Sequence, residues 1–532
     1  MTRRRFLGGT MAAGGAAAVG GPPAPADAAT APAPSCPPPL GVVTVGRDDP
    51  RYPDLTARGT NRRFTGRPES VRVVGSAEQI RRVVEQAVRQ KKRIVVRSGG
   101  HCFENFVDDP DVQVVIDVSE MKAVYFDPEH QAFAVESGAT LGQVYRTLQL
   151  GWGVTIPGGT CPDVGIGGHV AGGGYGTLSR LHGMAADHLY GVEAVVVDRS
   201  GRARLVVATR RATDPHRELW WAHTGGGGGN FGVVTRYLFR SPGAGGSDPA
   251  GLLPRPPATL LKATVTWQWK DLTRQAFTGL IHNFGAWQER YGNRPEFAGM
   301  TSGLVLNHRV QGQIQLEASL DGTLPDAAKL FRDHLAAVTA NVDAPHTTDQ
   351  STASWLSATL YHLWPGTYSF KTKSAFLRKP WSDAQVAILH TRLSQGGAER
   401  YGSTVYLTAF GGKINSLLPS ATSMPHRDTL LTAEYETLWF DAKQADAQLA
   451  WIRALYKELY AATGGVPVPD DDNSGAYINY PDADLADPEW NTSGVPWHTF
   501  YYGDNYPRLQ KVKAAYDPGD VFHHPLSVRL PD

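Results

Sequence analysis

The stretch PGGTCPDVGIGGHVAGGGYG, residues 157–176, contains nine glycines in twenty residues. Glycine weakens helices and strands, and it lets a backbone approach another backbone or a ligand closely. Because a loop of about twenty residues inside a compact domain usually has a function, the segment predicts irregular backbone packed against a flat ligand. Cys161 and His169 are the reactive side chains that it offers. The structural alternatives are a flexible loop and tightly packed irregular backbone without a ligand.

A second glycine turn lies in VVRSGGHCFENFV, residues 95–107. An apolar strand ends there in a run of small and reactive residues: Ser98, Gly99, Gly100, His101 and Cys102. Glycine permits positive φ and exposes backbone N–H groups to a ligand. The turn therefore predicts a ligand contact at His101, with a capping or turn histidine as the alternative.

A third glycine run, GGGGGNFG at 225–232, contains Gly227, Gly229 and Gly232 at the spacing of the dinucleotide fingerprint. That fingerprint must open a helix after a strand. Here the β-branched stretch VVTRYLF follows, which predicts a strand, so the dinucleotide interpretation is rejected. A phosphate-cradling loop of another kind stays open.

Composition and charge exclude few classes of protein. A chain of 532 residues with a net charge of +1 can bury a large core, and no basic run beyond its first residues indicates nucleic acid. The 13 Trp and 20 Tyr suit large cores and also sites for sugars and flat organic molecules. His523 and His524 are adjacent and lack a third ligand, so no metal site is predicted.

The N-terminus, MTRRRFLGGTMAAGGAAAVGG, has a basic start and a short apolar stretch, followed by small residues near ADAATA. It is typical of a signal peptide over residues 1–31, and its arginines resemble the twin-arginine export signal. A disordered basic tail is the alternative. No second stretch of about 20 apolar residues follows, so we expect no membrane span and a secreted or extracytoplasmic bacterial protein delivered by the twin-arginine machinery.

The pattern along the chain predicts an α+β fold. GSAEQIRRVVEQAVRQKK is expected to be a helix capped by Ser76 and Gln79, with four apolar residues on one face: Ile80, Val83, Val84 and Ala87. Strands and helices continue to about residue 250, where SPGAGGSDPAGLLPRPP is typical of a linker. Residues 255–465 contain alternating stretches that predict an antiparallel sheet covered on one side. Residues 466–532 are too short for a domain.

Five ordered motifs resemble one family: RSGGHCFE, PGGTCPDVGIGGHVAGGGYG, GGGGGNFGVVT, YINYPDADL and YYGDNYPRLQKVKAAYDPGDVFHHPLSV. They are similar to those of FAD-linked oxidases of the vanillyl-alcohol-oxidase superfamily, in the berberine-bridge-enzyme-like branch. Within that branch the chain most resembles bacterial glycopeptide hexose oxidases and the anthracycline oxidoreductase. The resemblance spans the mature chain. It implies a two-part PCMH-type FAD-binding domain, residues 50–250 and 466–532, with an inserted antiparallel-sheet α+β substrate domain at 255–465.

The resemblance also implies FAD bonded to the protein twice, through His101 to the flavin 8α-methyl carbon and through Cys161 to C6. It places His169 near the N1–C2=O edge, where a positive or donor group stabilises reduced flavin, although a structural histidine is the alternative. Val164 matches a position that controls access of oxygen. Further expected cofactor-binding residues are Arg97, Ser98, Gly99, Gly100, Cys102, Gly158, Gly159, Thr160, Gly165, Gly168, Gly173, Gly174, Gly232, Val234 and Asn505.

For catalysis the resemblance points to Tyr480, the second tyrosine of YINYPDADL, as the base that takes the proton of an alcohol. A phenol has a reference pKa near 10, so the tyrosine needs a cationic or hydrogen-bonding neighbour to act near neutrality. Tyr175 is either that neighbour or a second substrate contact. Packing roles are the alternatives for both tyrosines.

The expected function is oxidation of a hydroxylated small molecule, a carbohydrate or glycosylated natural product. A hydride passes to flavin N5, and O2 is reduced to H2O2. The alternatives are a flavin dehydrogenase or oxidative cyclase acting on another metabolite, and a flavin-free binding protein on the same scaffold. With Cys161 assigned to the flavin, Cys36 and Cys102 are the remaining cysteines, and whether they pair stays open.

Overall fold

The computed structural model describes residues 41–360 and 368–532. The expected signal peptide and Cys36 lie outside these residues. Within them the strands form three sheets, of four, five and eight strands. None of the helices in this part of the chain combines the length and the apolar character needed to cross a bilayer.

The first sheet is built from β1 (Val43–Gly46), β2 (Ser70–Val73), β3 (Ile94–Arg97) and β4 (Val114–Asp117), with helices α1 (Tyr52–Thr56) and α2 (Ala77–Arg89). Its order is β1-β2-β4-β3, with β4 parallel to both β2 and β3. The hydroxyl of Ser76 caps α2 by accepting the N–H of Gln79. The helix buries the four residues expected from its pattern: Ile80, Val83, Val84 and Ala87. That prediction is confirmed.

The second sheet is antiparallel and has the order β5-β6-β9-β7-β8. Its strands are β5 (Val124–Asp127), β6 (Ala132–Glu136), β7 (Leu189–Val197), β8 (Ala203–Thr209) and β9 (Val233–Phe239). Between them run α3 (Leu141–Trp152), α4 (Ile166–Ala171), α5 (Ser179–His182) and α6 (Arg217–Ala222). The third glycine run leads into β9, a strand, so the rejection of the dinucleotide fingerprint is confirmed.

The third sheet is antiparallel and has the order β13-β10-β12-β11-β15-β16-β14-β17. Its strands are β10 (Leu260–Gln268), β11 (Met300–Asn307), β12 (Gln313–Asp321), β13 (His346–Ala353), β14 (Ser369–Leu377), β15 (Ser403–Ala409), β16 (Leu431–Trp439) and β17 (Asn473–Gly475). The helices of this region are α7 (Arg274–Tyr291), α8 (Ala327–Thr339), α9 (Trp355–Leu360), α10 (Asp383–Ser394) and α11 (Ala445–Leu459).

Alternate residues of β11 and β12 are buried, as the period-two pattern predicts. Helix α8 packs on β12, and α11 packs on β14 and β16. These helices bury one set of alternating side chains. The other set of alternating side chains lies on the opposite face of the third sheet, which α8 and α11 do not cover.

The C-terminal segment carries α12 (Trp497–Tyr502) and α13 (Tyr506–Tyr516), and α13 packs against α6. The Lys513 ammonium donates to the carbonyl of Asn230 at 2.9 Å, and the Asn230 side chain accepts the N–H of Val528. The segment therefore returns to the part of the fold that holds the second sheet. One hydrophobic core runs through both halves of the chain, including Trp221, Trp267 and Tyr501. The α+β prediction is confirmed.

Candidate active site

A cavity of about 920 Å³ is lined by residues of all three sheets and of the C-terminal segment. This volume is near the upper end of the roughly 300–1,000 Å³ typical of small-molecule sites. At one end the lining comes from β3 and from the three glycine runs. At the other end it comes from the face of the third sheet that α8 and α11 leave uncovered. A ligand that fills the cavity touches both the glycine loops and this sheet face.

The SGGH turn and the long glycine segment meet through backbone contacts. A Cβ added at Gly165 would lie 2.2 Å from the nitrogen of Gly99, and one added at Gly99 would lie 2.4 Å from the nitrogen of Gly165. Gly100 has φ +78°, which glycine adopts without strain. The glycines at these positions let the two loops touch, and the touching loops bring His101 and Cys161 to the wall of one cavity.

His101 and Cys161 are half-buried and line the cavity. Burial lowers the pKa of His101, against the opposing charge of Asp163, so the imidazole is neutral near pH 7. Burial raises the pKa of the Cys161 thiol. Both described cysteines, Cys102 and Cys161, are free thiols, and burial raises the pKa of Cys102 to about 12. Of the two, Cys161 has the less strongly raised pKa and forms a thiolate more readily.

The glycine end of the cavity is a cradle that side chains would fill. A Cβ at Gly168 would meet no atom within 4 Å, and one at Gly228 would meet only the Cα of Gly168 at 3.8 Å. Ser137 also lines the cavity, and its hydroxyl is buried with no hydrogen-bond partner among the described residues. Backbone donors, an orphaned hydroxyl and a smooth glycine floor fit a large, flat, polar cofactor.

Most of the expected cofactor-binding residues line this cavity: Arg97, Ser98, Gly99, Gly100, His101, Cys102, Gly158, Gly159, Thr160, Cys161, Val164, Gly165, Gly168, His169, Gly232 and Val234. The Arg97 guanidinium is held by Asp117, with contacts of 2.8 and 3.1 Å to one carboxylate oxygen. It therefore anchors the end of β3, and its charge is already paired.

Three expected residues are not part of the lining. Gly173 and Gly174 do not line the cavity, and the Gly174 N–H donates to the hydroxyl of Tyr477. The side-chain amide of Asn505 donates to the carbonyls of Pro419 and Thr422, at 2.8 and 3.1 Å. Because these carbonyls occupy the amide, Asn505 ties the C-terminal segment to the loop before β16.

The ring of His169 lies against Gly159 and Gly174 of its own glycine segment. Its Nε2 accepts the N–H of Gly159 at 3.0 Å, which leaves the proton on Nδ1. Burial lowers the pKa of His169 to about 4, so the ring is neutral at physiological pH. In this state the histidine can act toward a cofactor as a hydrogen-bond donor through Nδ1–H, and it carries no charge.

Tyr175 and Tyr480 form a pair in the cavity lining. The Tyr175 hydroxyl donates to the Tyr480 hydroxyl at 3.3 Å. The ring of Phe103 stacks on Tyr480, with the planes 3° apart and the centroids 5.5 Å apart. Burial, the Glu434 carboxylate and Tyr175 raise the pKa of Tyr480 well above its usual value of 10. The phenol therefore keeps its proton near neutrality unless a neighbouring base accepts it.

That neighbouring base is a residue that the sequence reasoning missed. Glu434 and Glu436 lie two apart on β16, and both face the cavity. Burial and the charge of Glu436 raise the pKa of Glu434 to about 8, while a hydrogen bond with Tyr480 opposes the rise. Burial raises the pKa of Glu436 to about 7. Tyr406, opposite Glu434 on β15, also lines the cavity.

The strand LTAEYETLW contains a signal for this pair, since a period of two puts both glutamates on one face. The pattern alone cannot say that a cavity lies over that face.

For metals, the described ranges hold no group of three or more His, Cys, Asp or Glu side chains placed to bind an ion. The His523 ring is hydrogen-bonded to the carbonyl of Asp520, and the His524 ring is hydrogen-bonded to the carbonyl of Gly228.

The chain is similar to known FAD-dependent proteins. Residues 68–204 match an FAD binding domain, and residues 476–529 match the family described as berberine and berberine like. The chain is 54% identical over 540 residues to aclacinomycin-N/aclacinomycin-A oxidase of Streptomyces galilaeus, spanning 100% of this chain and 98% of the relative. It is 30% identical over 533 residues to hexose oxidase of Chondrus crispus, spanning 91% of this chain and 94% of the relative.

Among solved structures, a glycopeptide hexose oxidase complexed with teicoplanin is 49% identical, with a TM-score of 0.90 over 93% of this chain and 100% of the other. The chain belongs to the berberine-bridge-enzyme-like family of FAD-linked oxidases. It is an FAD-linked oxidoreductase with a PCMH-type FAD-binding fold, as its five motifs predict.

Proposed function

We propose that this protein is a bicovalent flavoprotein oxidase that converts an alcohol group of a carbohydrate or glycosylated natural product to a carbonyl. The observation that carries the proposal is the single cavity, which joins the His101 and Cys161 loops to the Tyr175–Tyr480 pair. When bound, FAD supplies the two-electron chemistry, accepting a hydride from the alcohol carbon at N5 and reducing O2 to H2O2.

His101 and Cys161 are the attachment points in this proposal. The support is their place on the cavity wall, where the Gly99–Gly165 contact holds their loops together. A neutral imidazole is a nucleophile, and the Cys161 thiol becomes one when it loses its proton. The glycine floor and the Ser137 hydroxyl hold the rest of the cofactor. His169 would donate from Nδ1 toward it, and Val164, which also lines the cavity, would control the access of oxygen.

Tyr480 and Glu434 move the hydroxyl proton. The substrate hydroxyl gives its proton to the Tyr480 oxygen as Tyr480 passes its own proton to Glu434. The support is the pKa of Glu434, about 8, which leaves about a tenth of the groups as carboxylate at pH 7 and a larger fraction as the pH rises, while Tyr480 stays a phenol. Tyr175 donates to Tyr480 and so steadies the oxygen that receives the proton. Tyr480 would need a cationic neighbour to act as a free phenolate. In this proposal Glu434 removes that need, because it accepts the Tyr480 proton.

The substrate class rests on the cavity wall and on the relatives. The sheet face presents hydroxyl groups and acids, including Thr264, Ser319, Thr408 and Glu317, which suit a ligand rich in hydroxyl groups. Two relatives are named for oxidation of aclacinomycin and of hexose. We infer that the substrate of this chain is a sugar or a sugar-bearing metabolite, and that the expected signal at 1–31 exports the enzyme.

One experiment tests the proposal as a whole. The purified full-length protein is precipitated with acid, and the pellet is examined for flavin absorbance. The same preparation is screened with free sugars and glycosylated metabolites for oxygen consumption and H2O2. We expect a yellow pellet and stoichiometric peroxide. A colourless pellet contradicts covalent attachment, and turnover that needs a quinone or dye instead of O2 contradicts the oxidase.

A further inference from the structure

A cluster of buried charged side chains lies beside the Tyr480 loop. Its members are 1–6% exposed: Glu104, Lys371, Lys373, Asp482 and Asp484. The two lysines are on β14, in the third sheet. Glu104 follows His101 by three residues in RSGGHCFE, and Asp482 follows Tyr480 by two in YINYPDADL. The cluster therefore joins the sheet to the two loops that carry the proposed attachment point and the proposed proton acceptor.

The contacts are direct. The ammonium of Lys371 pairs with Glu104 and lies 2.6 Å from one oxygen of Asp482. The ammonium of Lys373 lies 2.7 Å from the other oxygen of Asp482 and 2.8 Å from Asp484. Burial alone would lower the pKa of Lys371, but Asp482, Glu104 and Asp484 raise it above its ordinary value, so the ammonium stays charged. Lys371 thus holds one carboxylate from each loop.

Next to these carboxylates, the two loops touch through their rings. Phe103 precedes Glu104, and its ring is parallel to that of Tyr480. Phe370 precedes Lys371 and meets Phe103 edge-on, with centroids 4.9 Å apart. The stacked rings of Phe103 and Tyr480 therefore lie on two loops whose carboxylates, Glu104 and Asp482, both bind the ammonium of Lys371.

Stability is a weak reason for such a cluster. Removing several charges from water is costly, and apolar side chains of similar size often give equal or greater stability. Apolar packing, however, supplies no directional link between a loop and a strand. Charge-assisted hydrogen bonds of 2.6–2.8 Å restrict the loop that carries Asp482, and the Lys371–Glu104 pair restricts the other loop.

We propose that Lys371 is a positioning residue, which sets the ring of Tyr480 against Phe103 by binding Asp482 and Glu104 together. This inference rests on the proposed function of Tyr480. A ring displaced by about 1 Å slows a reaction much more than it weakens binding. Loss of Lys371 should therefore affect the chemical step.

The first variant is Lys371→Met, which keeps the length of the side chain and removes its charge. In the full-length holoenzyme we expect anaerobic flavin reduction to be at least tenfold slower, with KM changed less than threefold. Lys379→Met is the matched control, because Lys379 pairs with Asp472 at the exposed surface. Its reduction rate should equal that of the wild type.

Lys371→Met also leaves Asp482 paired with Lys373 alone and Glu104 with the Arg63 guanidinium at 3.5 Å, which lowers stability by itself. Lys371→Met/Glu104→Gln removes one charge of each sign, so its melting temperature should recover most of the loss while reduction stays at least tenfold slow. If the single variant does not fold, the double variant carries the test. Recovery of both quantities together overturns the inference, because Lys371 then acts through stability alone.

Tyr480→Phe, measured in parallel, separates this inference from the proposed function. If the flavin of Tyr480→Phe is reduced as fast as that of the wild type, the proposed proton path fails. The positioning role of Lys371 is then tested by the geometry of the Phe103 and Tyr480 rings. A crystal structure of the double variant then supports positioning if the Phe103 and Tyr480 rings are tilted or separated. Parallel rings at the original spacing overturn it.

Discussion

The hydroxyl of Tyr175, in the glycine segment, donates to the hydroxyl of Tyr480, 305 residues further along the chain. This contact places the two tyrosines at the boundary between the glycine cradle and the sheet face that carries Glu434. It is the point where a cofactor in the cradle and a substrate on the sheet would meet.

Tyr480→Phe removes one hydroxyl and almost no volume, so the fold and bound flavin should persist. We expect flavin reduction to slow by ~10²–10⁴-fold, the usual scale for acid–base catalysis. Substrate affinity and reoxidation by O2 should change far less, since the hydroxyl acts in the transition state. Anaerobic stopped-flow absorbance measures this. Tyr401→Phe, at an exposed tyrosine, is the control; a reduction rate of Tyr480→Phe within threefold of wild type assigns the proton to another group.

His101→Ala and Cys161→Ala should each leave one bond to FAD, and the double variant should release its flavin on denaturation. Mass spectrometry of the denatured chains distinguishes the three cases. Cys102→Ala is the control, because Cys102 adjoins His101 and lines the same cavity but is not assigned a bond. Flavin retained by the denatured double variant would show that another residue is bonded.

Gly165→Ala should disrupt the contact between the two glycine loops, because the new methyl group would lie 2.2 Å from the nitrogen of Gly99. We expect a loss of about 1–3 kcal/mol in the free energy of unfolding and a reduced yield of bound flavin, measured by thermal unfolding and absorbance. Gly151→Ala is the matched control. A Cβ at this exposed residue of α3 meets no atom within 4 Å, so the variant should gain roughly 0.5–1 kcal/mol.

Glu436→Gln should change how stability depends on pH. The folded protein holds the pKa of Glu436 at about 7, above its ordinary 4.5, because the group is buried. The native state therefore binds a proton more tightly than the unfolded chain, and this contribution to stability, complete below about pH 4.5, is lost as the pH rises through about 7. Burial and the charge of Glu436 also raise the pKa of Glu434 to about 8, so the loss of stability continues up to about pH 8.

In chemical denaturation from pH 4 to 9, Glu436→Gln should match the wild type at the acid end. At pH 9 it should be more stable by about 2–3 kcal/mol. Glu317→Gln, at an exposed glutamate on the same cavity wall, should follow the wild-type curve. Parallel curves for Glu436→Gln and wild type would mean that Glu436 is not a buried acid in solution.

Local features of the fold follow from the sequence. The capped helix α2 buries the four residues that its 3.6-residue period selects, and β11 and β12 alternate as their period of two requires. The glycine runs predict irregular backbone, which is wrong for Ile166–Ala171 of the long run, because these residues form helix α4 despite the low helix propensity of glycine. Motif order was enough to identify the family. These properties depend on residues close together in the chain, so one sequence contains them.

The tertiary structure decided which groups meet. Lys371 and Glu104 are 267 residues apart and share a buried ion pair. The two glutamates of β16 share a face by periodicity, but their raised pKa values come from burial under loops of distant sequence. The sequence resemblance predicts Asn505 close to the flavin, and in the folded chain its amide donates to carbonyls of the loop before β16. Periodicity determines which side chains share a face. Burial, and therefore protonation and pairing, depends on what packs over that face, which only the folded chain determines.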